Sequence, residues 1–285
     1  MLLASVGVAE DSTIFENRQF SFPNGLSKAL VLSYDDGPTQ DARFIGILNK
    51  HGIKATFHIN SGRLGLEAEW MTELIGDPGW YVSAEDLKSL YSGHEIGSHS
   101  VNHPHFSELD PESVRREVSR DIDTLEDLSH HKVESFAYPF GEFDDRIVAA
   151  LATTRITNAR TVESTGEFAV PDDFLRWHPT AHHSRALDLV EPFLERQDNS
   201  PAVFMVWGHS WEFDGNTPEN NWAVAEALCK RLSGSDDVWY VGAGELIRYL
   251  QAVKNLKHID GNWVNESGLS VWVRVADSLQ ELPPR

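Results

Sequence analysis

The sequence predicts an α/β fold of parallel strands wrapped by helices, in a barrel or barrel-like arrangement. Short apolar runs and amphipathic stretches alternate about six or seven times along the 285 residues. No linker, low-complexity stretch or fixed-period repeat interrupts them. The polar clusters fall where apolar runs end, which is where such folds carry their chemistry.

The elements follow in order. "ALVLSY" (29–34) reads as a buried strand and ends in the adjacent carboxylates Asp35 and Asp36. "TQDARFIGILNKHG" reads as a helix with Thr39 as N-cap and Gly52 as the C′ residue. "IKATFHIN" (53–60) is strand-like, and Ser83 with Asp86 forms a capping-box variant before "AEDLKSLY". "HEIGSH" (94–99) is the next strand. Asp110 followed by Pro111 starts a helix whose Val114, Val118, Ile122, Leu125 and Leu128 lie on one face. "VESFAYPFG", "ITNAR", "AVFMVW" and "VWYVG" supply further strands, with the helical "NWAVAEALCKRL" before the last of them. The tail "SVWVRVADS" alternates and predicts a β extension at about 257–280. The chain is therefore expected to be one catalytic domain over 1–285, with its core at about 29–250.

Composition narrows the function. The formal net charge is −20, which argues against nucleic acid and anionic membrane surfaces as partners. The single cysteine, Cys229, excludes an intrachain disulfide framework and reads as a buried thiol. "MLLASVGVAEDS" is too short for a secretory leader and lacks a basic start, so a cytoplasmic protein is expected. Secretion is the alternative if a leader was removed. Oligomeric state is not legible.

Two adjacent carboxylates at a half-buried strand end repel each other and lose solvation, so something must offset that cost. The second polar cluster, "GSHSVNHPHF", suggests what. His99 and His103 are spaced i, i+4, so one helical turn would face both imidazoles the same way. Two histidines and a carboxylate are a common way to hold a divalent metal with positions left open.

These residues also carry a family resemblance. "SYDDGP" resembles the first motif of the polysaccharide deacetylase superfamily (carbohydrate esterase family 4, NodB-homology domain), commonly TFDDGP. "HSVNHP" is similar to its second motif, "AYPFG" to its third and "VWGHS" to its last, in family order across about residues 29–250. The resemblance implies a distorted (β/α)7 barrel. It implies a metal held by Asp36, His99 and His103, usually Zn2+, with Co2+, Ni2+ or Mn2+ as alternatives. It further implies Asp35 as general base, His209 as general acid and a backbone N–H near Phe140 for the oxyanion. The cation would then offset the charge of Asp36 and favour ionised Asp35.

The sequence also departs from the family pattern, which marks a variant subfamily. The third motif often carries an arginine that orients the base, and Ala137 stands at that position. Arg176 in "FLRWHPTAHH" is the candidate replacement, the alternative being a surface arginine paired with Asp172 or Asp173. The usual aspartate-tryptophan fourth motif is not evident. His182 and His183 are read as cleft or loop residues. Tyr138, His58, Asn60 and Trp207 are orienting or cleft candidates, and Trp80, Trp207, Trp211 and Trp222 are candidates for stacking on a sugar. The implied activity is removal of acetyl groups from an N-acetylated sugar or oligosaccharide. O-acetyl glycan hydrolysis, small-amide hydrolysis and non-catalytic carbohydrate binding are the alternatives.

Overall fold

The computed structural model describes residues 13–275 and 278–285. The opening "MLLASVGVAEDS" lies outside the described residues.

The long strand Lys28–Asp36 is the axis of the fold and is buried along its whole length. It pairs in parallel with Ala202–Gly208 on one side. On the other side its N-terminal residues Lys28–Leu30 pair with Val238–Tyr240, and its C-terminal residues Ser33–Asp36 with Thr56–Ile59. Glu95–Ser98, Ser135–Ala137 and Asn158–Arg160 continue the parallel sheet beyond Thr56–Ile59. The short strand Ala181–His182 borders Ala202–Gly208. The segment between the two edges narrows the gap: Trp177 bridges in parallel to Arg160, and four residues later the chain joins the Ala181–His182 pairing. The sheet therefore curls into a distorted barrel. A parallel sheet buried on both faces needs near-continuous apolar strands, as in "ALVL" and "AVFMV".

Helices cover the outside. Pro111–Ser129 starts where Asp110 accepts from the Ser113 amide at 2.9 Å, and it buries Val114, Val118, Ile122 and Leu125. Asp41–His51 ends at Gly52, whose φ of 65° is the left-handed cap that glycine tolerates. Thr39 does not cap that helix. Gln40 holds the position before it and gives no side-chain cap. Ser83 and Asp86 exchange the expected hydrogen bonds, Oγ to carboxylate at 2.7 Å and amide to Oγ at 3.1 Å, ahead of a helix of only Leu87–Leu90.

The C-terminal residues form the hairpin Lys257–Ile259 with Asn262–Val264, and the antiparallel set Phe20–Ser21, Val271–Val275 and Ser278–Leu282. Val271 and Val273 share a core with Leu246, Ile247 and Leu250 of the helix Ala243–Lys254. Cys229 is fully buried on Trp222–Leu232, and burial pushes its thiol up to about 12. Among the described residues no helix is long and apolar enough to cross a membrane.

Candidate active site and metal centre

Asp35 and Asp36 close the central strand, and their side chains have different partners. Asp35 is 3% exposed. Its Oδ2 is paired with Arg160, which comes from the end of the Asn158–Arg160 strand. Its Oδ1 lies 3.4 Å from His58 Nδ1 and has no hydrogen-bond partner among the described residues. Arg160 is itself fixed, with Nε donating to Ser33 Oγ at 2.9 Å and Nη1 to the Thr161 carbonyl at 3.0 Å. Its guanidinium lies 4.8 Å from the centroid of the Trp207 ring. Burial alone would raise the Asp35 carboxyl. Arg160, then His99 and His58, outweigh it and hold the group well below the usual carboxylate range.

Asp36 sits at a φ of 76°, a left-handed conformation that costs a non-glycine residue energy and turns the chain at the strand end. Its Oδ1 faces His99 Nε2 at 3.8 Å and His103 Nε2 at 3.9 Å. Its Oδ2 accepts from Trp211 Nε1 at 3.0 Å and lies 4.0 Å from His209 Nε2.

The two histidines do not share a helical turn. His99 follows the strand Glu95–Ser98, and the chain then loops through Ser100 and His103 at positive φ. This loop still brings the imidazole centroids to 4.7 Å. Asn60 holds it by donating to the carbonyls of His99 and Ser100 at 2.5 and 2.9 Å. Buried Asp121 accepts from the Ser61 amide at 2.8 Å, the Ser98 hydroxyl at 2.6 Å and the His99 amide at 3.2 Å.

Asp36, His99 and His103 fit a divalent cation. One ligand atom from each lies within 4.8 Å of the others. His99 Nδ1 is 2.8 Å from the Ala137 carbonyl, so the proton belongs on Nδ1 and the Nε2 lone pair faces Asp36. Burial pushes His99 down to about 3 and also lowers His103, which favours the neutral imidazole that a ligand must be.

His209 follows the strand Ala202–Gly208. Its Nδ1 lies 2.6 Å from Glu212 Oε1. Glu212 is a hub: it also faces His182 at 3.3 Å and His183 at 3.2 Å, and accepts from Asn220 at 3.0 Å. Burial would lower His209, but the bond to Glu212 and the charge of Asp36 bring it up to about 9. Burial would likewise raise Glu212, and its bonds to three imidazoles leave it far below the usual range.

The structure corrects several sequence expectations. Arg176 does not reach Asp35. It pairs at 2.7 Å with Asp173 and with Asp145. Arg160 stands beside Asp35 instead. His58 and Asn60 lie behind the cleft rather than facing it, and both are almost fully buried. A Cβ on Gly97 would fall 2.4 Å from His58 Cδ2, so that glycine lets the imidazole fit under Asp35. His182 and His183 turn to Glu212 and do not line the cleft. Trp80 and Trp222 stand outside it too, and Trp222 takes a cation–π contact from Arg43 at 4.2 Å.

Tyr138, Phe140, Trp207 and Trp211 line the cleft, joined by Trp70 and Tyr81, which the sequence reading did not single out. Phe140 turns at a φ of 56° and stacks on His105 at 3.9 Å. Arg160 and Glu212 were missed as well. Each had a weak signal: an arginine ending the strand in "ITNAR", and a glutamate three residues after the histidine in "HSWE".

Residues 23–159 match the family model described as Polysaccharide deacetylase. Chitin deacetylase 1 of Cryptococcus neoformans var. grubii is 29% identical over 165 residues, 57% of this chain and 32% of that protein. The peptidoglycan-N-acetylglucosamine deacetylase PgdA of Listeria monocytogenes is 24% identical over 123 residues, 42% of this chain and 23% of its own length. The matched segments thus span a third or less of these relatives. Among solved structures, a putative polysaccharide deacetylase from Mycobacterium smegmatis superposes with a TM-score of 0.58 at 16% identity, covering 82% of this chain and 93% of that one. A family 4 acetyl xylan esterase from Clostridium thermocellum gives 0.50 at 18% identity, over 76% and 89%. These likenesses carry the fold.

Proposed function

Residues 23–159 belong to the polysaccharide deacetylase family, and from that premise we propose that the chain is a metal-dependent hydrolase removing acetyl groups from an N-acetylated sugar or oligosaccharide. The observation that carries the reading is one cleft at the C-terminal strand ends, lined by Asp35, Asp36, His99, His103 and His209. The names of the relatives, chitin deacetylase and peptidoglycan deacetylase, favour an acetylated amino sugar as the substrate class.

Asp36, His99 and His103 would hold the cation, which when bound polarises the acyl carbonyl and a water beside it. Asp35, whose Oδ1 has no hydrogen-bond partner among the described residues, takes the proton from the attacking water. Arg160 keeps Oδ2 engaged and so fixes which oxygen is offered. A backbone N–H near Phe140 would donate to the developing oxyanion. His209 gives its proton to the leaving nitrogen, and Glu212 keeps the imidazolium oriented. The C–N bond breaks to give acetate and a free amine.

His209→Ala separates the acid from the rest of the machinery. It is expected to slow amide hydrolysis by about 10²–10⁴-fold and to slow an activated aryl acetate much less, because a good leaving group needs little protonation. The measurement is kcat/KM on an N-acetyl sugar and on an aryl acetate, with metal content unchanged. Equal losses on both would remove His209 from the acid role. The substrate class is tested by mass spectrometry on acetylated sugars, O-acetyl glycans and small cyclic amides. Turnover of the cyclic amides alone would overturn the carbohydrate reading.

A further inference from the structure

We propose that the acetylated sugar taken by this cleft carries an apolar body, an alkyl chain or an aromatic ring, that lies against the wall formed by residues 63–81. The inference rests on the deacetylase reading and adds the substrate class.

The cleft has a volume of about 660 Å³, room for more than one sugar ring. A run of sugars would bring many hydroxyls, and each one removed from water without a partner costs free energy. Most of the neutral polar groups around the cleft are already engaged. Trp70 Nε1 donates to Tyr81 Oη at 3.1 Å and Trp207 Nε1 to Ser164 at 3.3 Å. Trp211 Nε1 is spent on Asp36 at 3.0 Å, and Tyr138 Oη on the Leu175 carbonyl at 2.9 Å. Arg63 gives one Nη2 bond to the Asn102 carbonyl at 2.8 Å. Among the described side chains that line the cleft, what remains is the Tyr81 hydroxyl hydrogen, the other Arg63 N–H groups and the reacting groups themselves. That suffices for one sugar and poorly for several.

The apolar side of the cleft is open. Leu74 is 62% exposed and Trp70 40%. Both come from the short helix Glu69–Ile75, whose other face is anchored: Met71 is fully buried with Ala68 and Tyr81. The Trp70 and Trp211 rings meet edge to face at 5.3 Å. A packed satellite core therefore holds large apolar side chains out beside the reacting groups. Contiguous exposed apolar surface in such a place marks a binding surface. Aromatic faces also stack on sugar rings, so a polar oligosaccharide is the competing occupant.

The test compares acetate release by the metal-loaded protein from three substrates: methyl N-acetylglucosaminide, octyl N-acetylglucosaminide below its micelle concentration, and the N-acetylglucosamine trimer. The octyl glycoside is expected to exceed the methyl glycoside in kcat/KM by at least about tenfold, from several buried methylenes. The trimer is expected to gain less than about threefold, since its added groups bury little apolar area. Leu74→Asn and Trp70→Ala should each cut the octyl-to-methyl ratio several-fold. A trimer that gains as much as the octyl glycoside, or an octyl-to-methyl ratio near one, would overturn the proposal. If none of the three releases acetate, the deacetylase reading fails on its own. Dissociation constants from tryptophan fluorescence then decide the proposal. Tighter octyl binding that Leu74→Asn weakens supports it, and equal constants for octyl and methyl glycosides sink it.

Discussion

Arg160→Ala is expected to cost about 3–5 kcal/mol of stability and most of the turnover, because it leaves the buried Asp35 charge without its partner. Arg160 and Asp35 are 1% and 3% exposed, so solvent screens little of their interaction. Arg160→Lys should restore part of the stability and little of the rate. A lysine brings the charge but not the fork that binds Asp35, Ser33 and the Thr161 carbonyl together. Arg176→Ala is the matched control. Its guanidinium serves two exposed aspartates, so stability should stay within about 0.5 kcal/mol and kcat/KM should not move. Urea midpoints and kcat/KM of metal-loaded proteins give both readings. An Arg160→Ala protein as stable and active as wild type would contradict the arrangement.

His99→Ala and His103→Ala should each weaken metal binding by at least about 100-fold, beyond the 10–100-fold usual for losing an outer partner of a ligand. The two should differ in stability. His99 is 2% exposed and sits on the Ala137 carbonyl, so its removal leaves a buried acceptor unpaired and a cavity behind. His103 is half-buried, and its removal should cost little stability. Metal titration followed by mass spectrometry, with thermal melts of the same samples, checks both expectations. Full metal occupancy in both variants would dismantle the ligand assignment.

The contrast between these residues and Arg160 shows what a sequence carries. The fold was legible because its signals are local. "ALVLSYDD" and "AVFMVWGH" each state a buried strand and its polar end within eight residues. The Asp36, His99 and His103 group was legible for the same reason, since each half sits in a compact motif. The Arg160–Asp35 pair joins residues 125 apart in sequence, and only the curl of the sheet brings the two strand ends together. Arg176 looked suitable because nothing in "FLRWHPT" says that its guanidinium turns to Asp173 and Asp145. Glu212 was hidden differently. Its spacing from His209 was visible, but its role depends on His182, His183 and Asn220 turning to the same carboxylate. The i, i+4 helix reading of His99 and His103 gave the right neighbours for the wrong reason, because positive-φ turns at Ser100 and His103 do what a helical turn would have done.

In the proposed mechanism Asp35 acts as base beside a cation held by Asp36, His99 and His103. Acetate release from an N-acetylglucosamine substrate by Asp35→Asn, with bound metal measured in the same sample, tests it most directly. Metal content equal to wild type is expected, with kcat/KM lower by about 10²–10⁴-fold. A metal-loaded Asp35→Asn protein that releases acetate at the wild-type rate would contradict it.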